Sequence, residues 1–583
     1  MDLKEIREKI NSIDSKILEL LARRNEFATE VAATKIRAGK PIRDAKREKE
    51  LMAKLQKRGT KLGLSSKDVA QIWEVLMGIS RGNQKNFFAL AEKLTPKKLK
   101  YREKKIKTKL NLLEIFARLK QNSETCFLLE SLGEYDDFSR KSYLGFAPHA
   151  IIQGEEGKLI VKPAGAKQKQ IEFPTPNPYE ALKLFLPKLP QGRGFRGGLF
   201  GYLSYEATRY FEPSVQFGKH PDFPDFEFGL YFDGLIFDKK NGELKYFYLS
   251  EDRSKLLEKI LRKPASSLTS HFSGGKFRAI PRGTNRSQKN FENAVRKGQR
   301  EILAGNSFQF VIGRKYFFDL AGDRLQFYEK LREVNPSPHM FYLQFGKENT
   351  TFQNSAEHKV GGSALRSPAD AGRRRELIGS SPELILRVEN GVVENYPLAG
   401  TRKVTGNQKI DDQLAKELLA DEKEKAEHMM LVDLARNDVG KVCEFGSVKV
   451  RKFMTIKKFS HVQHIASEVV GKLRKDQTVF DALAAQMPMG TVSGAPKVET
   501  MKIIQKLEPD ARGPYAGAVG FFSLTGDGVM AVNLRSLFAA NGKATVQAGA
   551  GVVMDSVPRN EFKEVEKKVK GVVMALEEAG GKG

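Results

Sequence analysis

Apolar residues recur three and four apart at the start of the chain, at Leu3, Ile6, Ile10, Ile13, Ile17 and Leu20. This heptad-like seam predicts one helix over residues 1–36, stopped by Gly39-Lys40-Pro41. A second helix is expected over 44–58, broken by Gly59 and Gly63, and a third from an N-capping Ser65 or Ser66 through Trp73 towards Phe88. Residues 1–90 therefore read as an all-α, three-helix domain. So long a first helix cannot bury its whole seam alone, and a homodimer through these helices is the expected remedy. Residues 91–110 are strongly basic and read as a linker. Beyond them short β-like runs (FLLES, GLYFDGLIFD, LKYFYLS, ELILRV) alternate with helical stretches and Gly-rich turns, which predicts a large α+β domain with parts at 111–260 and 285–578. Within it residues 347–375 are polar and aperiodic, as an inserted surface loop would be.

Length and composition agree with a multidomain globular chain. Its 583 residues exceed one hydrophobic core, and it is 40% hydrophobic and 29% charged. No apolar run reaches the roughly 18 residues of a membrane span, and the amphipathic N-terminus has no signal-peptide core. Cys126 and Cys443 stand far apart without CxxC neighbours, so neither a disulfide framework nor a zinc site is expected, and a reducing cytoplasm fits. The net charge of +28 is spread along the chain without zinc-finger spacing or an aromatic RNA-binding strand. It reads as a basic solvated surface suited to anionic substrates, with neither nucleic acid nor membrane as partner.

Several charged residues sit where a helical core would not place them. Arg24 lies on the continuation of the apolar seam, and Lys35, eleven residues and about three turns later, shares its face. Arg7 lies roughly 25 Å before Arg24 along the same helix, so it suits the pocket of a second subunit. On the second helix Asp44, Arg47 and Glu48 face one way, and on the third Ser80 and Gln84 are one turn apart. A solvated charged bundle accounts for such charges equally well. Further along, Glu424 with Glu427 and Glu561 with Glu564 each place two carboxylates on one helix face. Four converging carboxylates need a divalent cation, and all-oxygen ligation favours Mg²⁺; each pair alone also suits a solvated helix face. Gly549-Ala550-Gly551 resembles a fragment of a dinucleotide loop but lacks the full fingerprint.

Residues 1–90 resemble the AroQ-type chorismate mutases, carried by LKEIREKI, LLARR, VAATK, PIRDAKRE and SRGNQ at unbroken spacing. The resemblance implies that Arg7, Arg24 and Arg47 hold substrate carboxylates and that Lys35 and Gln84 donate to the ether oxygen. Glu48 would accept from the ring hydroxyl, and Asp44 and Ser80 would support the pocket. Such a pericyclic rearrangement needs only positioning and stabilisation of a polarised transition state.

From about residue 97 to 575 the chain resembles the chorismate-utilising enzymes, specifically anthranilate synthase component I. The matching stretches include GGLFGYLSYEATRYFE, NPSPHMFYL, GSSPELILRV, PLAGTR, LLADEKEKAEHMMLVDLARNDVG, SHVQHIASEV, MGTVSGAPK and RGPYAGAVGFF. By this resemblance Glu424, Glu427, Glu561 and Glu564 surround Mg²⁺, with Glu383 nearby. Tyr515, Arg535, Lys568, Gly549 and Gly551 grip the chorismate carboxylates. Thr401 and Thr491 line the ring pocket, and His464 is the acid/base group. Isochorismate and salicylate synthases carry a lysine base where this chain has Gln309, which favours ammonia over water as nucleophile. Many aminodeoxychorismate synthases carry a lysine where this chain has Ala399. Gly313 stands where the family usually has serine. No GxCxG nucleophile elbow is present, so a separate glutamine amidotransferase subunit is implied. FLLES and NPSPHMFY match the tryptophan effector pocket of inhibited family members, at Glu130, Ser131, Pro338, Met340 and Tyr342. The alternatives are an aminodeoxychorismate synthase fused to an aminodeoxychorismate mutase, or an idle mutase-like dimerisation or sensing module on an anthranilate synthase.

Overall fold

The computed structural model describes residues 2–37, 40–96, 98–132, 140–164, 169–187, 189, 192–262, 276–346, 374–458 and 462–580. It divides into two compact units, one of Met1–Leu99 with His149–Pro187 and one of Lys100–Pro148 with Lys188–Gly583.

The first unit begins with helices α1 (Leu3–Arg37), α2 (Ala45–Lys61) and α3 (Ser66–Leu94). Asp44 caps α2 by accepting from the Arg47 N–H at 3.0 Å, and Ser65 caps α3 by accepting from the Asp68 N–H at 3.0 Å. Gly59 does not break α2 as expected. It is buried inside the helix, and a Cβ there would stand 2.4 Å from Cγ2 of Val69, so it is the point of closest approach to α3. The chain turns instead at Gly63, where φ is +81°.

The second half of α1 buries Ala28, Ala32 and Ala33. Thr29 Oγ1 there donates to the Pro174 carbonyl at 2.7 Å. Phe87 of α3 packs edge-on against Phe173 at 4.9 Å and Phe185 at 5.8 Å, which carries α3 beyond Phe88 to Leu94. Residues 149–187 include an antiparallel meander of Ala150–Glu155, Lys158–Pro163 and Ile171–Pro174 followed by a short helix, and they group with the helices in the first unit. The first half of α1 stays uncovered: Ile10, Ile13 and Ile17 are 51%, 57% and 48% exposed.

The second unit contains an antiparallel sheet with twelve strands among the described residues. The strands used below are β1 (Cys126–Glu130), β2 (Gln309–Ala321), β3 (His339–Phe345), β4 (Arg375–Ser381), β5 (Leu398–Lys403), β6 (Val462–Lys472), β7 (Ser536–Ala540) and β8 (Lys543–Val552). The centre of this sheet runs β1-β3-β4-β7-β8-β2. β5 and β6 pair in a second antiparallel sheet that continues through Val392–Asn395, Leu384–Glu389, Gly528–Val532, Ala518–Ser523 and Gly198–Leu203. Between the sheets Phe127 of β1 stacks on Phe200 at 3.6 Å. With both faces covered, β1 reads as a continuous apolar run. Helices α4 (Gln288–Leu303), α5 (Leu325–Val334), α6 (Glu422–Gly440), α7 (Lys497–Leu507) and α8 (Pro558–Gly580) complete the elements needed here. The first sheet's outer face packs on Phe291 of α4, Tyr328 and Leu331 of α5 and Val569 and Leu576 of α8.

Part of the expected basic linker is ordered strand. Arg102–Ile106 pairs with Glu243–Tyr248, with Lys105 2.9 Å from Glu243 and Lys245 2.8 Å from Glu103. Lysines suit such an edge because they discourage further pairing. β4 begins at Arg375, and residues 347–373 of the expected inserted loop lie outside the described residues. Among the described residues no helix is long and apolar enough to cross a membrane.

Candidate functional site

Two clusters gather most of the expected residues. In the helical unit Lys35 of α1 donates to Oε1 of Gln84 at 3.2 Å and to the Ile42 carbonyl, and Gln84 Nε2 donates to Ser80 Oγ at 3.3 Å. Arg24 lies on the same helix and donates to the Leu76 carbonyl at 3.1 Å. Glu48 is held by Arg81, whose Nη1 reaches both carboxylate oxygens at 2.9 Å, and by Arg43 at 3.5 Å. Arg81 was not among the expected residues. Its one signal is its position in SRGNQ, three before Gln84. Asp44 serves as the helix cap already described. Arg7 and Arg47 are exposed and lie outside the Lys35–Gln84–Ser80 cluster.

In the second unit β5 and β6 position Thr401 and His464. His464 Nδ1 lies 2.6 Å from the Gly400 carbonyl and 3.2 Å from Thr401 Oγ1. A carbonyl only accepts, so Nδ1 carries the proton and Nε2 the lone pair. Burial holds the imidazole pKa below its ordinary value, opposed by the Gly400 hydrogen bond and assisted by Arg535. Glu383 is buried and accepts from Thr491 Oγ1 at 2.7 Å. Burial pushes its carboxyl up to about 7, against the pull of Thr491, Lys568 and Arg535. Arg535 has φ +49°, in the left-handed region that costs a non-glycine residue about 1–3 kcal/mol. The fold holds it there with a 3.3 Å bond from the Ser380 N–H to its carbonyl.

β2 and β8 pair so that Gly313 faces Gly549 and Val311 faces Gly551. Lys568 of α8 donates to the Gly549 carbonyl at 3.0 Å and lies 2.7 Å from Glu564. A Cβ on Gly549 would stand 3.0 Å from the Tyr515 hydroxyl, and one on Gly551 2.8 Å from Nε2 of Gln309. A side chain at either glycine would therefore crowd these polar groups. At Gly313 a Cβ would meet the movable amide end of Gln547, with Nε2 at 2.7 Å, so the departure there has no steric explanation. Ala399 is buried in β5 opposite Ile465, and Gln309 is buried at the start of β2.

The acidic pairs lie on α6 and α8. Glu427 is raised above its ordinary pKa by burial and then by Glu424, with Glu564 of the other helix adding and the Gln309 amide opposing. Glu561 is raised by burial, opposed by Ser556, with Glu564 adding. The four carboxylates thus share one neighbourhood, although among the described residues no three His, Cys, Asp or Glu side chains close into a ligand set. Arg402 stands 3.6 Å from Glu424 and 3.0 Å from Asp421. Sequence reasoning missed Arg512. It is fully buried between the Glu508 oxygens at 2.7 and 2.9 Å and donates to the Val492 and Val311 carbonyls, fixing the backbone beside Thr491 to β2. Periodicity could not reveal it; only its place in RGPYAG marks it.

The expected effector residues meet at β1 and β3, where Glu130 faces Met340. Glu130 is already engaged, accepting from Tyr328 at 2.8 Å and paired with Arg332 at 2.7 Å. Ser131 Oγ is buried without a hydrogen-bond partner. Tyr342 donates to Glu376 at 2.5 Å. Pro338 lies just before β3.

The pattern of the chorismate binding enzymes matches residues 124–574, and that of the type II chorismate mutases matches residues 6–85. Anthranilate synthase component 1 of Methanothermobacter thermautotrophicus is 41% identical over 85% of this chain and 97% of its own length. That of Leptospira biflexa is 39% identical over 83% and 97%. The crystal structure of anthranilate synthase component I from Streptococcus pneumoniae superposes with a TM-score of 0.60 at 32% identity, covering 75% of this chain and 93% of that one. A menaquinone-specific isochorismate synthase from Escherichia coli, at 18% identity and TM-score 0.57 over 84% and 99%, shares the fold.

Proposed function

The chain belongs to the chorismate binding enzymes and carries a type II chorismate mutase domain, and we propose that it converts chorismate and ammonia to anthranilate and pyruvate, and chorismate to prephenate. The observation that carries the first activity is the constellation of Thr401–His464, Glu383–Thr491 and Lys568–Gly549, with glutamine rather than lysine at 309 on β2 and alanine rather than lysine at 399 on β5. Without an amine at 309 water lacks a base, and without one at 399 the chain lacks the nucleophile of many aminodeoxychorismate synthases. Ammonia adds to the ring as the C4 hydroxyl leaves as water, the hydroxyl gaining a proton and the new ammonium losing one; loss of the ring proton then expels the enolpyruvyl group, which takes a proton at its methylene carbon to become pyruvate. His464 is suited to relay the first proton and to take the ring proton, each through Nε2. Arg535, Lys568 and the backbone at Gly549 and Gly551 orient the substrate carboxylates.

The all-oxygen donors Glu424, Glu427, Glu561 and Glu564 suit Mg²⁺ in chemical type. A bound Mg²⁺ would neutralise the substrate carboxylate at that site. Glutamine would serve only through a separate amidotransferase subunit, and a cytoplasmic setting fits. Product chromatography after feeding chorismate, Mg²⁺ and ammonium tests the reading. Fluorescent anthranilate is expected; a 4-amino product in its place would overturn it in favour of aminodeoxychorismate synthesis.

In the helical unit Lys35 and Gln84 would donate to the ether oxygen, Glu48 would take the ring hydroxyl, and Arg24 and Arg47 would hold carboxylates. Arg7 would come from a second subunit. The uncovered Ile10, Ile13 and Ile17 support dimerisation, because burying such a seam stabilises by roughly 25 cal/mol per Å². Light scattering on the intact chain should return at least twice the 65.4 kDa monomer mass; a monomer would remove this part of the reading.

For tryptophan, Glu130 would have to exchange Arg332 for the effector ammonium. Anthranilate formation is expected to fall across a tryptophan titration in the wild type and to stay constant in Ser131→Leu, where the added bulk fills the buried site. Flat activity in both to millimolar tryptophan would show that the site binds no effector.

A further inference from the structure

Between α4 and the segment that ends α7 lies a cavity of about 420 Å³ that shares no residue with either candidate site. Arg286, Arg296, Lys297, Arg300 and Lys506 line it together with asparagine amides, and among the described residues no aspartate or glutamate does. Arg296 is balanced in part by Glu292 at 3.3 Å. Lys297, Arg300 and Lys506 lie in no ion pair among the described residues.

Arg286 is the built part of the site. It is only 6% exposed, and one guanidinium nitrogen, Nη2, donates to the Leu507 carbonyl at 2.9 Å. The other, Nη1, is buried without a hydrogen-bond partner. Leaving a buried charged donor unmet is unfavourable. The nearby acids do not remove the imbalance. Glu508 is committed to Arg512 and to the Gly313 N–H at 2.8 Å, and Asp510 accepts from Asn285 at 3.0 Å.

From this geometry we propose that the cavity binds a compact small molecule bearing a phosphate with at least two negative charges. Guanidinium forks match phosphate oxygens, and ammonium groups add point charge. A half-open recess of this volume suits a small ligand, whereas a nucleic-acid duplex would need an extended groove.

Titration calorimetry of the intact chain with pyrophosphate, at ionic strength matched with chloride, tests the site. One saturable event is expected in the wild type. Affinity should fall by roughly tenfold or more in Arg300→Glu/Lys506→Glu, since a charged hydrogen bond is worth about 1.5–3 kcal/mol. Arg286→Gln should weaken binding similarly, with its melting curve as the check on folding. The double variant changes surface side chains only, so it decides the matter even where Arg286→Gln does not fold. No saturable heat above the chloride control, or equal affinity in wild type and double variant, overturns the proposal. Equal binding of citrate overturns its phosphate class, and tighter binding of duplex DNA overturns its small-molecule class. None of these readouts depends on the proposed anthranilate chemistry, so the two can fail separately.

Discussion

His464→Ala lowers the rate of anthranilate formation by about 10²–10⁴-fold, the range for removing a positioned general acid–base group, and leaves prephenate formation unchanged. The side chain also holds β5, because Nδ1 donates to the Gly400 carbonyl at 2.6 Å. Loss of that bond alone would loosen the loop around Thr401 and raise KM. His464→Asn separates the two effects. Its amide can replace the Nδ1 donor, yet it has no equivalent of the Nε2 lone pair. With proton transfer as the role, the asparagine variant keeps its melting temperature and KM and loses kcat as alanine does. Wild-type kcat in the asparagine variant would reduce His464 to a structural residue. The depressed pKa of the imidazole keeps it neutral at pH 7, the state a base requires.

Lys35→Ala lowers prephenate formation by about 10²–10³-fold, comparable to loss of one donor to a developing oxyanion, with anthranilate formation retained. In the present structure the Lys35 ammonium is parked on the Gln84 side-chain carbonyl and the Ile42 carbonyl. Substrate must displace those contacts, so the residue is prepositioned beside Gln84 at little cost in stability. Lys35→Arg keeps the charge but replaces a compact ammonium with a planar fork, and it should recover only part of the rate. Full prephenate formation in Lys35→Ala would show that the assigned pocket is wrong, whereas no prephenate from the wild type would favour the idle dimerisation module. Chorismate consumption measured for both products in one reaction reads the two variants together, each variant controlling for the other's fold.

The order of helices and strands was legible because it depends on local pattern. The three-four spacing of the α1 seam, the caps at Asp44 and Ser65 and the apolar run of β1 each act within a few residues. The side chains proposed for the two sites were named from motif spacing, which gives no contacts. The structure brings Lys35, Ser80 and Gln84 together, and it adds two pairs that spacing did not name, Thr401 with His464 and Glu383 with Thr491.

What escaped the sequence is what depends on distant partners. Gly59 reads locally as a helix breaker, and only Val69 across the helix pair makes it a packing contact. Residues 149–187 read as part of the second domain, and contacts such as those of Phe173, Phe185 and the Pro174 carbonyl group them with the helices. The basic stretch around Lys105 reads as linker until Glu243 pairs with it. Arg81 and Arg512 have no periodic signature, since their meaning lies in Glu48 and Glu508. Glu130 looked free for a ligand until α5 brought Arg332 against it. Patterning thus determined which elements form and which chemistry they carry. Pairing across tens or hundreds of residues, where burial forces every charge and every missing Cβ to find its complement, was decided by the tertiary structure alone.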